Sequence, residues 1–138
     1  MNIQAQMKEL FGNSCLAYCY ATLFTKTGHM KDVKDLTKDV LNGWYRGFID
    51  DDGYVSKPIQ YIKMLDSDSK VVDIANVAID NLEDLPNGFQ VVEYKKNPKD
   101  KASHFVIADH NGVLFDPSGD SQTVKVGKPV SYRRFIYD

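Results

Sequence analysis

Hydrophobic positions change their spacing once along this chain, near Ser67, and the change divides it into a helical half and a strand half. From Cys15 to about Thr25 the sequence is almost wholly apolar, with Leu16, Cys19, Tyr20 and Leu23 at helical spacing. A helix apolar on most of its surface belongs at the centre of a fold, and Gly28 is a good stop signal. Lys31 to about Trp44 reads as a conventional amphipathic helix, with Val33, Leu36, Val40, Leu41 and Trp44 as its stripe and Asp32, Lys34, Asp35, Lys38 and Asp39 facing water. Gly47 to Val55 reads as a loop with a short extended flank. Ser56 then caps a third helix, with Pro58 in the first turn and Ile59, Ile62 and Leu65 inside. Residues 1–12 are polar and amphipathic, an arm or short helix leading into the first turn.

After Ser67 the runs become short and rich in β-branched and aromatic residues: Val71 to Ile79, Phe89 to Tyr94, Phe105 to Ala108, Val113 to Phe115 and Ser131 to Tyr137. Turn signals at Pro86-Asn87-Gly88, Asn97-Pro98, Asn111-Gly112 and Ser118-Gly119 separate them. Helices followed by strands predict an α+β fold, an antiparallel sheet packed on a central helix. At 138 residues without a linker or repeat, the chain reads as one domain, 1–138, with a helical half at 1–66 and a sheet half at 67–138.

Composition narrows the functional classes. A formal net charge of -2 removes the electrostatic case for nucleic acid or acidic membranes. No stretch approaches the roughly 20 apolar residues of a membrane span, and the N-terminus lacks the features of a secretory signal. A cytoplasmic protein is the expectation, and 2 cysteines four residues apart suit a reducing compartment better than a disulfide framework.

Those cysteines carry the candidate chemistry. With Ser14 as N-cap, Cys15 takes the first helical position, where unpaired N–H groups and the helix dipole favour a thiolate. Cys19 fits inert packing among Leu16, Tyr20 and Leu23. A third soft ligand is lacking, so Cys15 and Cys19 do not suggest zinc. Of the 3 histidines, His29 and His110 read as solvated loop residues. His104 begins an otherwise apolar strand, where an imidazole needs a partner.

Strand parity selects the acid. A two-residue Asn111-Gly112 turn would set Asp116 opposite Ile107, on the wrong face for His104. A three-residue loop, His110-Asn111-Gly112, pairs Asp116 with Val106 and brings it diagonal to His104, roughly 7–8 Å between backbones. A Cys15–His104–Asp116 triad therefore predicts an odd-length loop. Asp50-Asp51-Asp52-Gly53 matches only part of a calcium loop, and Tyr18, Tyr20, Trp44 and Tyr45 read as core or near-surface aromatics.

Ser14-Cys15-x-x-x-Cys19-x-Ala21, Ser103-His104-Phe105-Val106-Ile107 and Asp116-Pro117 resemble the bacteriocin-processing (double-glycine leader) peptidases of the papain-like superfamily. The likeness covers residues 13–23 and 103–117. It implies a papain-like fold, a bacterial or phage setting, and a cysteine peptidase or amidase that hydrolyses a peptide or isopeptide bond without cofactor or metal. Its catalytic residues would be Cys15, His104 and Asp116, and its partner a peptide or protein substrate. Two positions depart from the family: Leu16 replaces the usual glycine after the nucleophile, and Lys8-Glu9-Leu10 stand where an oxyanion-hole glutamine is expected. Asn13 and Gln6 are the amide side chains that could take that role. The same three residues could serve acyl transfer or deamidation, and the departures fit a non-catalytic papain-like module that binds a peptide or protein.

Overall fold

The computed structural model of the protein describes residues 14–24, 33–101, 103–117 and 122–138. The chain divides into two compact units, Met1–Val71 and Val72–Asp138. It is α+β, with three of the described helices preceding the first strand.

Three helices build the first unit: α1 (Cys15–Leu23), α2 (Val33–Tyr45) and α3 (Pro58–Leu65). In α1 five consecutive residues, Ala17 to Ala21, are buried, so every side of the helix is covered at that level. Two phenols join it to its neighbours. The Tyr18 hydroxyl shares a 2.9 Å hydrogen bond with the Thr37 hydroxyl of α2, and the Tyr61 hydroxyl of α3 donates to the Ala17 carbonyl at 3.0 Å. The Tyr61 ring lies over Gly43 of α2, where a Cβ would stand 2.7 Å from a ring carbon. Glycine there is a packing requirement.

Burial, reinforced by Asp39, Tyr18 and Cys19, pushes the Tyr61 phenol well above its ordinary value. The unfolded chain therefore releases this proton first as the pH rises. Stability contributed by the neutral phenol is intact below about pH 10 and declines above it. Denaturant melts of wild type and Tyr61→Phe from about pH 8 to 11 should show the wild type losing stability more steeply. The phenylalanine variant should start lower by about 1 kcal/mol, for the lost hydrogen bond.

Several local expectations are corrected in this unit. Leu36 and Val40 are buried as the stripe of α2 requires, but Trp44 is 37% exposed, and its indole N–H donates to Asp51 at 3.0 Å. Lys57, not Ser56, flanks α3, and without a side-chain cap. The Ser56 hydroxyl donates to the Phe48 carbonyl instead, closing the loop whose flanks meet at the Ile49–Val55 bridge. Asp50 Oδ1 is spent within that loop, accepting from the backbone N–H groups of Asp52 and Tyr54. Gly28 and His29 lie outside the described residues.

The second unit is a five-stranded sheet in the order β1 (Val71–Ala78), β5 (Lys128–Tyr137), β2 (Gln90–Lys95), β3 (His104–Asp109), β4 (Gly112–Phe115). Pairing is antiparallel from β5 through β4. Two short elements escaped the sequence reading, a 3-10 turn at Leu82–Asp84 and the helix α4 (Gln122–Val126). The first is set by Asn81 and Asp84, whose side chains bond each other's backbone N–H in a capping box. β5 starts three residues before the expected Ser131. It includes Pro129 because a bulge opposite Glu93 and Tyr94 interrupts the ladder there, one of the few places a strand tolerates proline. Val92, Tyr94, Val106, Ala108 and Tyr132 form one face of the sheet and pack with Ile79 and Leu85 into a core, against which Val124 of α4 also lies.

Candidate active site

Cys15 is the first residue of α1. Its side chain is half-buried, whereas Cys19, one turn on, is buried. Ser14 precedes the helix as expected and its carbonyl accepts the first helical hydrogen bond, from Tyr18 at 3.0 Å. Its side chain does not cap. With φ -104° and ψ 18°, Ser14 departs from the extended backbone that aims a capping hydroxyl at the next N–H groups. The hydroxyl is buried and has no hydrogen-bond partner among the described residues. Asn13 and Gln6, the candidate oxyanion donors, lie outside those residues.

The second unit brings His104 and Asp116 together. His104 is the first residue of β3 and pairs with Tyr94 of β2, on the face of the sheet that carries Val106 and Ala108. Its Nε2 lies 2.6 Å from Asp116 Oδ1, with only 11% of the histidine and 9% of the aspartate side chain exposed. A contact this short between largely buried groups is a charge-assisted hydrogen bond. It fixes the ring: Nε2–H donates to the carboxylate, so Nδ1 is the basic nitrogen.

The route by which Asp116 reaches that face differs from the odd-length loop expected. Asp109 pairs with Gly112, so the turn contains only His110 and Asn111. The Asp109 carboxylate accepts from the Asn111 N–H at 2.8 Å, and Gly112 follows at φ 142°, in a region that favours glycine. Such a turn, continued regularly, would put Asp116 opposite Phe105, on the wrong face. The correction comes from β4 itself. Ala108 pairs with Val113 and Ile107 with Phe115, so Leu114 is an extra residue, a β-bulge whose side chain is 50% exposed. One step further in this register sets Asp116 opposite Val106, on the face of His104.

His110 also departs from its expected role as a solvated turn residue. Its Nε2 is hydrogen-bonded to the Leu85 carbonyl, tying the β3–β4 turn to the segment that covers the core. Nothing local in the sequence marks this contact, since its partner is 25 residues away. The bulge did leave a trace. Val113-Leu114-Phe115 is a run of three apolar residues in a strand that should alternate.

Among the described residues no group of three or more histidine, cysteine, aspartate or glutamate side chains could hold a metal ion, and no helix is long and apolar enough to cross a membrane. The described arrangement can orient an imidazole and support its positive charge, and it places a thiol at a helix start. Neither a curated protein nor a solved structure matches the chain. A family model does match, over residues 1–137, and by that match the chain belongs to the family described as "Protein of unknown function, DUF261".

Proposed function

We propose that the protein is a papain-like cysteine peptidase or amidase using Cys15, His104 and Asp116. The observation that carries this reading is the His104–Asp116 pair. A largely buried imidazole held through Nε2 by a carboxylate has its basic Nδ1 defined, which a general base requires. The Cys15 position, first on α1 directly after Ser14, supports the nucleophile's role.

In the reaction His104 Nδ1 takes the Cys15 thiol proton while Asp116 supports the imidazolium. The thiolate attacks the substrate carbonyl, and the tetrahedral intermediate collapses with cleavage of the C–N bond. The leaving amine takes the proton from Nδ1. Water then attacks the thioester with His104 again as base, and the Cys15 thiol is regenerated with release of the acid. The Cys15 backbone N–H is one oxyanion donor. A side-chain amide from Asn13 or Gln6 would be the second, and loss of such a donor typically costs ~10²–10³ in rate. The substrate is a peptide or protein.

Iodoacetamide alkylation at about pH 7, resolved between Cys15 and Cys19 by mass spectrometry, tests the ion pair. Cys15 should react at least ~10-fold faster than glutathione under the same conditions, despite being half-buried, and His104→Ala should erase the excess. Equal rates in wild type and variant would overturn the reading.

A further inference from the structure

The first unit carries a groove lined by none of the three triad residues. It encloses about 580 Å³, within the range of sites that take ligands. Phe48, Ile59 and Met64 give it an apolar floor, and Arg46 and Lys63 are its charged residues. These come from two elements. Arg46 and Phe48 follow the end of α2, while Ile59, Lys63 and Met64 lie along the side of α3 not used by the buried Tyr61 and Ile62. The Arg46 guanidinium is held 5.3 Å above the Phe48 ring, which plants a positive charge directly on the apolar wall.

Among the described residues no carboxylate lines the groove. The nearest acids in sequence are Asp66 and Asp68, and Asp66 accepts from the Asp68 backbone N–H. Among the described residues neither Arg46 nor Lys63 has an acidic partner. Two cations from different elements and three apolar side chains lining one groove match a ligand that combines an apolar centre with two negative charges. A fatty acid, with one carboxylate, would leave one cation unmatched, and its chain calls for a closed tunnel where this groove is open to solvent.

We propose that this groove binds a peptide segment in which an aliphatic side chain is flanked by acidic residues. The aliphatic side chain covers Phe48, Ile59 and Met64, and the carboxylates meet Arg46 and Lys63. This binding does not depend on the triad.

The test is amide-resolved NMR titration of the ¹⁵N-labelled full chain with acetyl-Glu-Leu-Glu-amide, with acetyl-Lys-Leu-Lys-amide and decanoate in parallel. The acidic peptide should give saturable shifts at Arg46, Phe48, Lys63 and Met64. Affinity should fall by about 10-fold or more in Arg46→Glu/Lys63→Glu, whose amide dispersion shows that it is folded. In Cys15→Ala the affinity should be unchanged. The proposal is overturned if the acidic peptide gives no saturable shifts there, if the basic peptide binds equally well, or if the charge-reversed variant keeps full affinity. Tighter binding by decanoate would assign the groove to a lipid carboxylate and also overturn it.

Discussion

Inserting one alanine between Phe115 and Asp116 is expected to separate His104 from its carboxylate as completely as Asp116→Ala does. Deleting Leu114 should leave the pair intact. Both follow from parity. The observed register sets Ile107 opposite Phe115, so Asp116 follows onto the His104 face. An added residue moves the carboxylate one position along a strand whose side chains alternate, hence to the opposite face. Removing the bulged Leu114 makes the ladder regular but keeps Phe115 opposite Ile107. The ¹H–¹⁵N signal of the His104 ring reports the outcome directly, since an Nε2–H held by a carboxylate is shifted downfield and protected from exchange, and both effects are lost with the acceptor. In the proposed mechanism the insertion should also slow Cys15 alkylation about 10-fold or more, to the level of Asp116→Ala, and the deletion should not. Asp116→Asn should fall between, because its amide oxygen still accepts from Nε2–H while its NH₂ can stabilise the wrong tautomer.

Gly127→Ala is expected to produce the largest loss of stability of any alanine substitution at a described glycine in the second unit. Gly127 ends α4, its N–H donating to the Thr123 carbonyl at 2.9 Å, and leads into β5, where Lys128 pairs with Lys95. A Cβ would collide with the carbonyl oxygens of Lys95 and Thr123 and stand 2.8 Å from the Lys95 carbonyl carbon. These are backbone atoms of a helix end and a paired strand, so no side-chain rotation relieves the clash. A cost of about 3 kcal/mol or more follows, a drop in Tm on the order of 10 °C. Gly88→Ala is the control: φ is 94° but nothing lies within 4 Å of the added carbon, so only backbone strain of about 1–2 kcal/mol remains. Equal melting of the two variants would refute the packing argument.

Much of this architecture was legible in the order of residues, for reasons that differ between its parts. The five strands were visible because runs such as Val91-Val92-Glu93-Tyr94 combine β-branched residues with turn signals on either side. The α4 helix was not, because five residues from Gln122 to Val126 hold too few turns to show a period. Trp44 lies on the apolar stripe of α2 yet is 37% exposed, because helical spacing gives direction around an axis and says nothing of what covers that face. Asp116 was selected correctly as the partner of His104, on a parity argument that named the wrong device. The chain contains an extra residue in the strand, not in the loop. Turn length and bulge are interchangeable in parity, so sequence arithmetic alone could not separate them. Ser14 had the residue type of a cap but not the backbone angles, which depend on how the chain enters the helix.

The two phenolic contacts on α1 settle a matter that hydrophobicity leaves open. A helix apolar on all sides loses little burial energy when spun about its own axis, so burial alone does not choose its angular setting. Each residue of such a slip would swing Cys15 by about 100°. The Tyr18–Thr37 and Tyr61–Ala17 hydrogen bonds satisfy their buried polar groups at only one setting. They act as a key in a shaft, converting a greasy rod into a part with a defined orientation and giving the thiol a direction as well as a position.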